Sequence, residues 1–100
     1  MNKPCYTDYV RHAIRFYARY LKLKKFKSEV DRANWFACHN VLQTYSERDR
    51  DILVYVYGEF DTLADNVYQI SKKHHIHQNL VWDMMKQFER DVAIERGLWV

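Results

Sequence analysis

LADNVYQISKKHHIHQNLVWDMM, residues Leu63–Met85, reads as two helices joined by a tight turn. Leu63, Val67, Ile70 and His74 recur at intervals of three and four, the spacing of one helix face. Ile76 stands alone in the polar turn His74–His77. Val81, Met84, Met85 and Phe88 then resume the helical period, so a second helix is expected from about Gln78 to Glu95, with its stop near Gly97. Thr62-x-x-Asp65 supplies a capping signal ahead of the first helix. A second helix laid across a first after so short a turn is the geometry of a helix-turn-helix, whose second helix enters a DNA major groove.

Such a unit needs a small residue where its helices pack, a turn residue that tolerates a tight backbone, an apolar plug in the turn and an apolar anchor early in the second helix. Ser71, His75, Ile76 and Val81 stand at those places. Gln78, Asn79, Trp82, Asp83 and Lys86 then fall at or near the outer side of the second helix. Gln and Asn bond adenine edges bidentately, and Lys reaches guanine or phosphate. The expected DNA-contacting residues are therefore Gln78, Asn79 and Lys86 on base edges, with Lys72, Lys73 and His77 on nearby phosphates.

Upstream, three more helices are expected. The first runs from about Thr7 to Leu23, capped by Thr7 or Asp8, with an apolar stripe of Tyr6, Val10, Ala13, Tyr17 and Leu21. Arg11, Arg15, Arg19 and Lys22 form a basic stripe on its other side, and Lys24, Lys25 and Lys27 carry the charge into the connection. The stripe is either a solvated face, or a clamp on phosphates, or a dock for an acidic protein. The second helix starts at Ser28, whose spacing to Asp31 resembles a capping box. Its stripe of Val30, Ala33, Ala37 and Val41, flanked by Trp35, Cys38, Leu42 and Tyr45, is wide enough to predict a central helix. The third begins at Ser46, with Glu47, Asp49 and Asp51 suited to a helix N-terminus and Ile52, Leu53, Val56 and Tyr57 facing inward. Gly58 is placed to end it in a left-handed conformation.

With 100 residues, two Gly, one Pro and no alternating apolar run, the chain is expected to be one all-α domain, a compact bundle of about five helices. Its halves differ in charge. Residues 1–45 hold nine Lys/Arg and three Asp/Glu (+6), whereas residues 46–100 hold seven and ten (−3). The helix-turn-helix lies in the acidic half, while nonspecific DNA affinity comes from Lys and Arg. No apolar run approaches a membrane span, and MNKPCYTDY has no signal-peptide core. Cys5 and Cys38 lack metal spacing and read as two reduced thiols of a cytoplasmic protein.

The stretch SERDRDILVYVYGEFDTLADNVYQISKKHHIHQNLVWDMM, residues 46–85, resembles the region-four helix-turn-helix of bacterial sigma factors, a resemblance that covers roughly residues 46–90. It is also similar to the small sigma-like activators of phages and mobile elements in Gram-positive bacteria. The Arg-rich acidic opening corresponds to Arg48, Asp49, Arg50, Asp51, Ile52 and Leu53, followed by the aromatics Tyr55 and Tyr57. The family's Ile-Ala pair falls on Ile70 and Ser71, its Gly-Ile-Ser turn on His75, Ile76 and His77, and its recognition-helix valine on Val81. The chain departs from the pattern at His75, where glycine is favoured, at His74, where leucine is, and at Asp83, a negative charge close to the DNA face.

His74, His75 and His77 do not surround a metal ion without distant ligands, so no metal is expected. A solvated or phosphate-facing turn is, gaining charge below about pH 6.5. No cofactor motif, nucleophile elbow or phosphate-cradling glycine loop is present, and no enzyme is expected. Trp35 and Trp82 are expected in the core or at its edge, and Trp99 against a partner or a second copy of the chain.

The resemblance implies a sequence-specific transcriptional regulator of double-stranded DNA, carried by a phage or mobile element. The surface spanning Arg11, Arg15, Arg19, Lys22, Lys24, Lys25 and Lys27 would add nonspecific affinity or bind RNA polymerase or another protein. The alternative is a small protein-interaction module, such as a phage-encoded inhibitor, that uses the helical scaffold to hold a protein partner. Homodimerisation is compatible with either.

Overall fold

The computed structural model describes residues 5–98, which form five α-helices and no strand. They are α1 (Thr7–Arg19), α2 (Glu29–Leu42), α3 (Glu47–Gly58), α4 (Leu63–His74) and α5 (Gln78–Glu95). Trp99 lies outside the described residues.

Three helix starts follow directly from local chemistry. The Ser28, Ser46 and Thr62 hydroxyls accept from the backbone N–H of Asp31, Asp49 and Asp65 at 3.1, 3.2 and 3.1 Å. Each satisfies one of the N–H groups that a helix leaves without an internal partner, an effect of about 1 kcal/mol per cap. At α1 the expected side-chain cap is absent. Its N-cap is Tyr6, in helical conformation, whose side chain makes no capping bond, and Thr7 is buried.

Two helix ends share one device. His75 (φ 54°) and Gly97 (φ 72°) both adopt the left-handed conformation. Behind each, two backbone bonds close the helix: His75 N to Lys72 O and Ile76 N to Ser71 O (3.3 and 3.0 Å), and Gly97 N to Ile94 O and Leu98 N to Ala93 O (3.0 and 2.7 Å). These are complete Schellman motifs, and the apolar residue after each turn, Ile76 and Leu98, packs on the core.

Gly58 corrects the sequence expectation. Its φ is not positive; it is the last residue of α3 itself. A Cβ there would meet the Cβ and carbonyl oxygen of Ala18 at 3.4 Å. Gly58 lies where α1 crosses α3, and an added Cβ would make ordinary van der Waals contact with Ala18, a neighbour that the local sequence does not reveal.

Helix α1 stops at Arg19, one turn short of the expected Leu23. Tyr20 leaves the helical region (φ −129°, ψ 49°), and its carbonyl accepts from Trp35 Nε1 at 3.0 Å. Leu21, assigned to the inner stripe by periodicity, is exposed as a result. On α2 the inner face is Asn34, Trp35, Ala37, Cys38, Val41 and Leu42, whereas Val30 and Ala33 face outward. The central helix is accordingly α5, not α2: α5 packs against each of the other four, and α2 against α1 and α5.

A single apolar cluster joins all five helices, with Ile14, Tyr57, Ile70, Met85 and Phe88 all but inaccessible to solvent. Fully burying each such aliphatic or Phe side chain contributes about 1.5–3 kcal/mol. Trp35 is buried, and Trp82 is half-buried against the cluster. Cys38 is buried and Cys5 exposed. Burial pushes the Cys38 thiol up to about 12, so it stays neutral and unreactive. No helix among the described residues is long and apolar enough to cross a membrane.

Candidate nucleic-acid interface

The turn between α4 and α5 is built from the four residues that the spacing singled out. Ser71 is buried, and its hydroxyl donates back to Tyr68 O at 2.8 Å instead of projecting between the helices. His75 takes the left-handed position, Ile76 plugs the turn, and Val81 is fully buried one turn into α5. His77 sits at the N-cap of α5, where its Nδ1 accepts from Asn79 N at 3.0 Å. That bond holds the His77 ring against the start of α5.

The turn is also pinned from α3. His74 Nε2 donates to Asp51 Oδ2 at 2.8 Å, and Lys73 Nζ lies 3.6 Å from the same oxygen. Together they hold the Asp51 carboxyl below the usual carboxylate range, the His74 hydrogen bond contributing most. A leucine at position 74 would pack there; histidine makes a polar tie to the third helix instead. Asn66 closes the other end, its buried amide donating to Val56 O and Glu59 O at 2.9 and 3.2 Å and so taking up carbonyls that the end of α3 leaves open.

All six residues expected to contact DNA are exposed: Lys72, Lys73, His77, Gln78, Asn79 and Lys86. Lys72 lies 4.8 Å from the centre of the Tyr68 ring, and together with Gln78 and Asn79 they border a groove of about 690 Å³ over the turn. The side chains of Gln78, Asn79 and Lys86 make no hydrogen bond or ion pair among the described residues. On α5, Asn79, Asp83, Lys86 and Arg90 follow at intervals of four, three and four and are all exposed, so Asp83 does lie among the groups that would face DNA.

The basic surface of the first half is not one uniform face. Four-residue steps advance about 40° around a helix, so the stripe drifts from the core edge outward. Arg11 is at the inner edge: its Nε donates to Glu89 Oε2 at 2.8 Å, and the Arg11 and Glu89 side chains are 25% and 5% exposed. Arg15 is half-buried. Arg19 is exposed but donates to the carbonyls of Gly58 and Glu59 and covers the Phe60 ring at 4.1 Å. Lys22, Lys24, Lys25 and Lys27, in the α1–α2 connection, are exposed and make no ion pair among the described residues. The charge open to a ligand thus belongs to the connection, while Arg11 and Arg19 tie α1 to α5 and α3.

The three histidines of the turn do separate jobs: His74 binds Asp51, His75 makes the left-handed turn and His77 caps α5. No group of three or more His, Cys, Asp or Glu able to hold a metal occurs among the described residues.

Periodicity missed the polar groups inside. Glu89 is buried and accepts from Tyr57 OH at 2.6 Å as well as from Arg11. It stands among Met85, Phe88 and Val92, on the inner face of α5, and that position is the signal that marks it as a paired buried charge. Tyr57, buried beside the Glu89 carboxylate, has its phenol held well above the ordinary value, chiefly by desolvation. Asn34 accepts from Arg96 Nε at 2.6 Å and donates to Tyr9 OH at 3.1 Å, tying the end of α5 to α2 and α1.

Comparison of the chain with known protein families, curated proteins and solved structures found no match.

Proposed function

We propose that the chain is a sequence-specific DNA-binding transcriptional regulator that uses α4 and α5 as a sigma region-four-like helix-turn-helix and is carried by a phage or mobile element. The observation that carries the reading is the α4–α5 turn. A left-handed His75, a plug at Ile76 and a buried Val81 set α5 in register, and they leave Gln78, Asn79 and Lys86 exposed without internal partners. Helix-turn-helix proteins read base edges with the N-terminal residues of the second helix. Gln78 and Asn79 fit adenine, and Lys86 fits guanine or phosphate about two turns further along. Lys72 and Lys73, with His77, flank them as phosphate contacts.

Asp83 lies within that face and Arg11 and Arg19 are engaged by Glu89, Gly58 and Glu59, so phosphate neutralisation falls mainly to the lysines. Affinity is therefore expected to be modest and strongly salt-dependent, with RNA polymerase or a second protein supplying the remainder.

Selection from a randomised duplex pool at about 50 mM salt tests the reading. An enriched motif is expected. Changing Gln78→Glu, Asn79→Asp and Lys86→Glu together should abolish its binding while the circular dichroism spectrum and melting midpoint hold. Lys72→Ala should weaken all duplexes alike and flatten the salt dependence by about one ion. Absence of duplex binding at low salt refutes the proposal.

One observation favours a second reading. Leu80 and Ile94 are exposed on α5, an apolar presence that a duplex does not require. If no duplex is bound, α5 is the first surface to test as a protein-binding face, the chain then acting as a small interaction module or inhibitor.

A further inference from the structure

Phe60 is the most exposed of the large apolar side chains among the described residues, at 84%. It stands in the α3–α4 loop between Glu59 and Asp61, so the loop presents an aromatic ring flanked by two acids. The loop is held firmly. Arg19 donates to the carbonyls of Gly58 and Glu59 and lies beneath the Phe60 ring, while Asn66 bonds Glu59 O from the other side. An exposed ring fixed in place loses little freedom on binding, which makes it a good anchor.

Across the C-terminal turn of α1 lies the complementary feature. Phe16, Tyr20 and Leu23 line a cleft of about 400 Å³ between α1, the α1–α2 connection and α2, together with two cations, Lys25 and Lys27, against one acid, Asp31. Neither lysine has an ion-pair partner among the described residues, and neither do the side chains of Glu59 and Asp61. Knob and cleft are continuous: a groove along Arg19–Leu23 joins them, sharing Arg19 with the Phe60 side and Tyr20 and Leu23 with the cleft.

We infer that the chain associates with a second copy of itself through this strip, each copy placing Phe60 in the other's cleft, with Glu59 and Asp61 against Lys25 and Lys27. Because knob and cleft flank the same turn of α1, a two-fold axis passing near Arg19 and Tyr20 brings both pairs together at once and closes the assembly at two copies. The acidic and basic halves of the chain then serve each other across the axis. An association confined to one loop and one cleft, with charged groups at its edge, is expected to be weak, reversible and reduced by salt. It requires no nucleic acid and stands whether or not α5 reads DNA.

Sedimentation equilibrium on the full chain, from micromolar to near-millimolar concentration and at low and high salt, tests it. A monomer–dimer equilibrium weakened by salt is expected. Phe60→Ala should reduce association roughly tenfold or more. Lys25→Glu with Lys27→Glu should do likewise, and adding Glu59→Lys and Asp61→Lys to that pair should restore it, with unchanged melting midpoints showing that the variants fold. Monomer throughout the range, a dimer indifferent to Phe60→Ala, or failure of the four-fold charge exchange to restore association overturns the inference. So does a ladder of higher species, since that requires knob and cleft to face in directions that do not close. Lysine variants that lose duplex binding but leave sedimentation unchanged would assign Lys25 and Lys27 to phosphate instead, and overturn it as well.

Discussion

Replacing Arg11 with Met removes the one cation that touches the Glu89 carboxylate among the described residues and leaves Tyr57 OH as its remaining hydrogen-bond donor. Removing one partner of a fully buried ion pair costs about 3–5 kcal/mol, mostly because the other charge stays buried and unpaired. Glu89 meets that condition at 5% exposure, but Arg11 is 25% exposed, so water can reach the space it vacates. The methionine also retains much of the apolar packing of the arginine stem. The expected loss is therefore about 2–3 kcal/mol, below the fully buried range. For a domain of this size each kcal/mol moves the melting midpoint by about 4–8 °C, which places the midpoint of Arg11→Met roughly 8–24 °C below wild type. Urea unfolding followed by far-ultraviolet circular dichroism measures the free-energy change directly. Glu89→Gln in the Arg11→Met background should recover at least about 1 kcal/mol, because a neutral amide still accepts from Tyr57 and no longer buries a lone charge. A loss under about 1 kcal/mol for Arg11→Met, or strictly additive effects in the double variant, would refute the role given to this network.

Substitutions at three further positions separate local from tertiary causes. Gly58→Ala should stabilise by roughly 0.5 kcal/mol, because Gly58 is helical and the added Cβ meets Ala18 at ordinary van der Waals distance; a loss of about 1 kcal/mol in urea unfolding would refute that account of the crossing. His75→Gly should stabilise by about 0.5–1 kcal/mol by relieving the left-handed strain, and His75→Val should destabilise; equal stabilities would sink that account. Asp51→Asn should cost under about 1 kcal/mol near neutrality, since Asp51 is half exposed. Its folded-state value lies below the unfolded value near 3.9, so its contribution is whole above about pH 4 and disappears as pH falls through the folded value. The urea midpoints of wild type and Asp51→Asn should therefore converge in acid; a gap that widens there would contradict the His74–Asp51 tie.

Much of the α4–α5 unit is legible in the sequence because its determinants are local. Three hydroxyl caps, a left-handed residue after α4 and a glycine after α5 act within a few residues of themselves, and each is found where spacing placed it. The exposure of Gln78, Asn79 and Lys86 follows from the same periodicity, since they lie off the stripe of Val81, Met85 and Phe88. The role of the arginines was not legible. Arg11, Arg15 and Arg19 look equivalent in a four-residue repeat, but their partners, Glu89, Gly58 and Glu59 among them, lie 39 to 78 residues away.

By itself the sequence determined an all-helical chain, the existence of five helices, the boundaries of α3, α4 and α5, and the turn chemistry between the last two. Hydrophobic period and caps are short-range signals and need no partner to be read. Which helix is central, where α1 stops, what Gly58 packs against and which cations remain free are set by the folded arrangement. Each depends on a group far away in the chain: Trp35 on the Tyr20 carbonyl, Ala18 against Gly58, and Glu89 buried beneath Arg11. A residue's period reports which side of its own helix it occupies, whereas its charge, freedom and availability to a ligand are set by what the fold brings against that side.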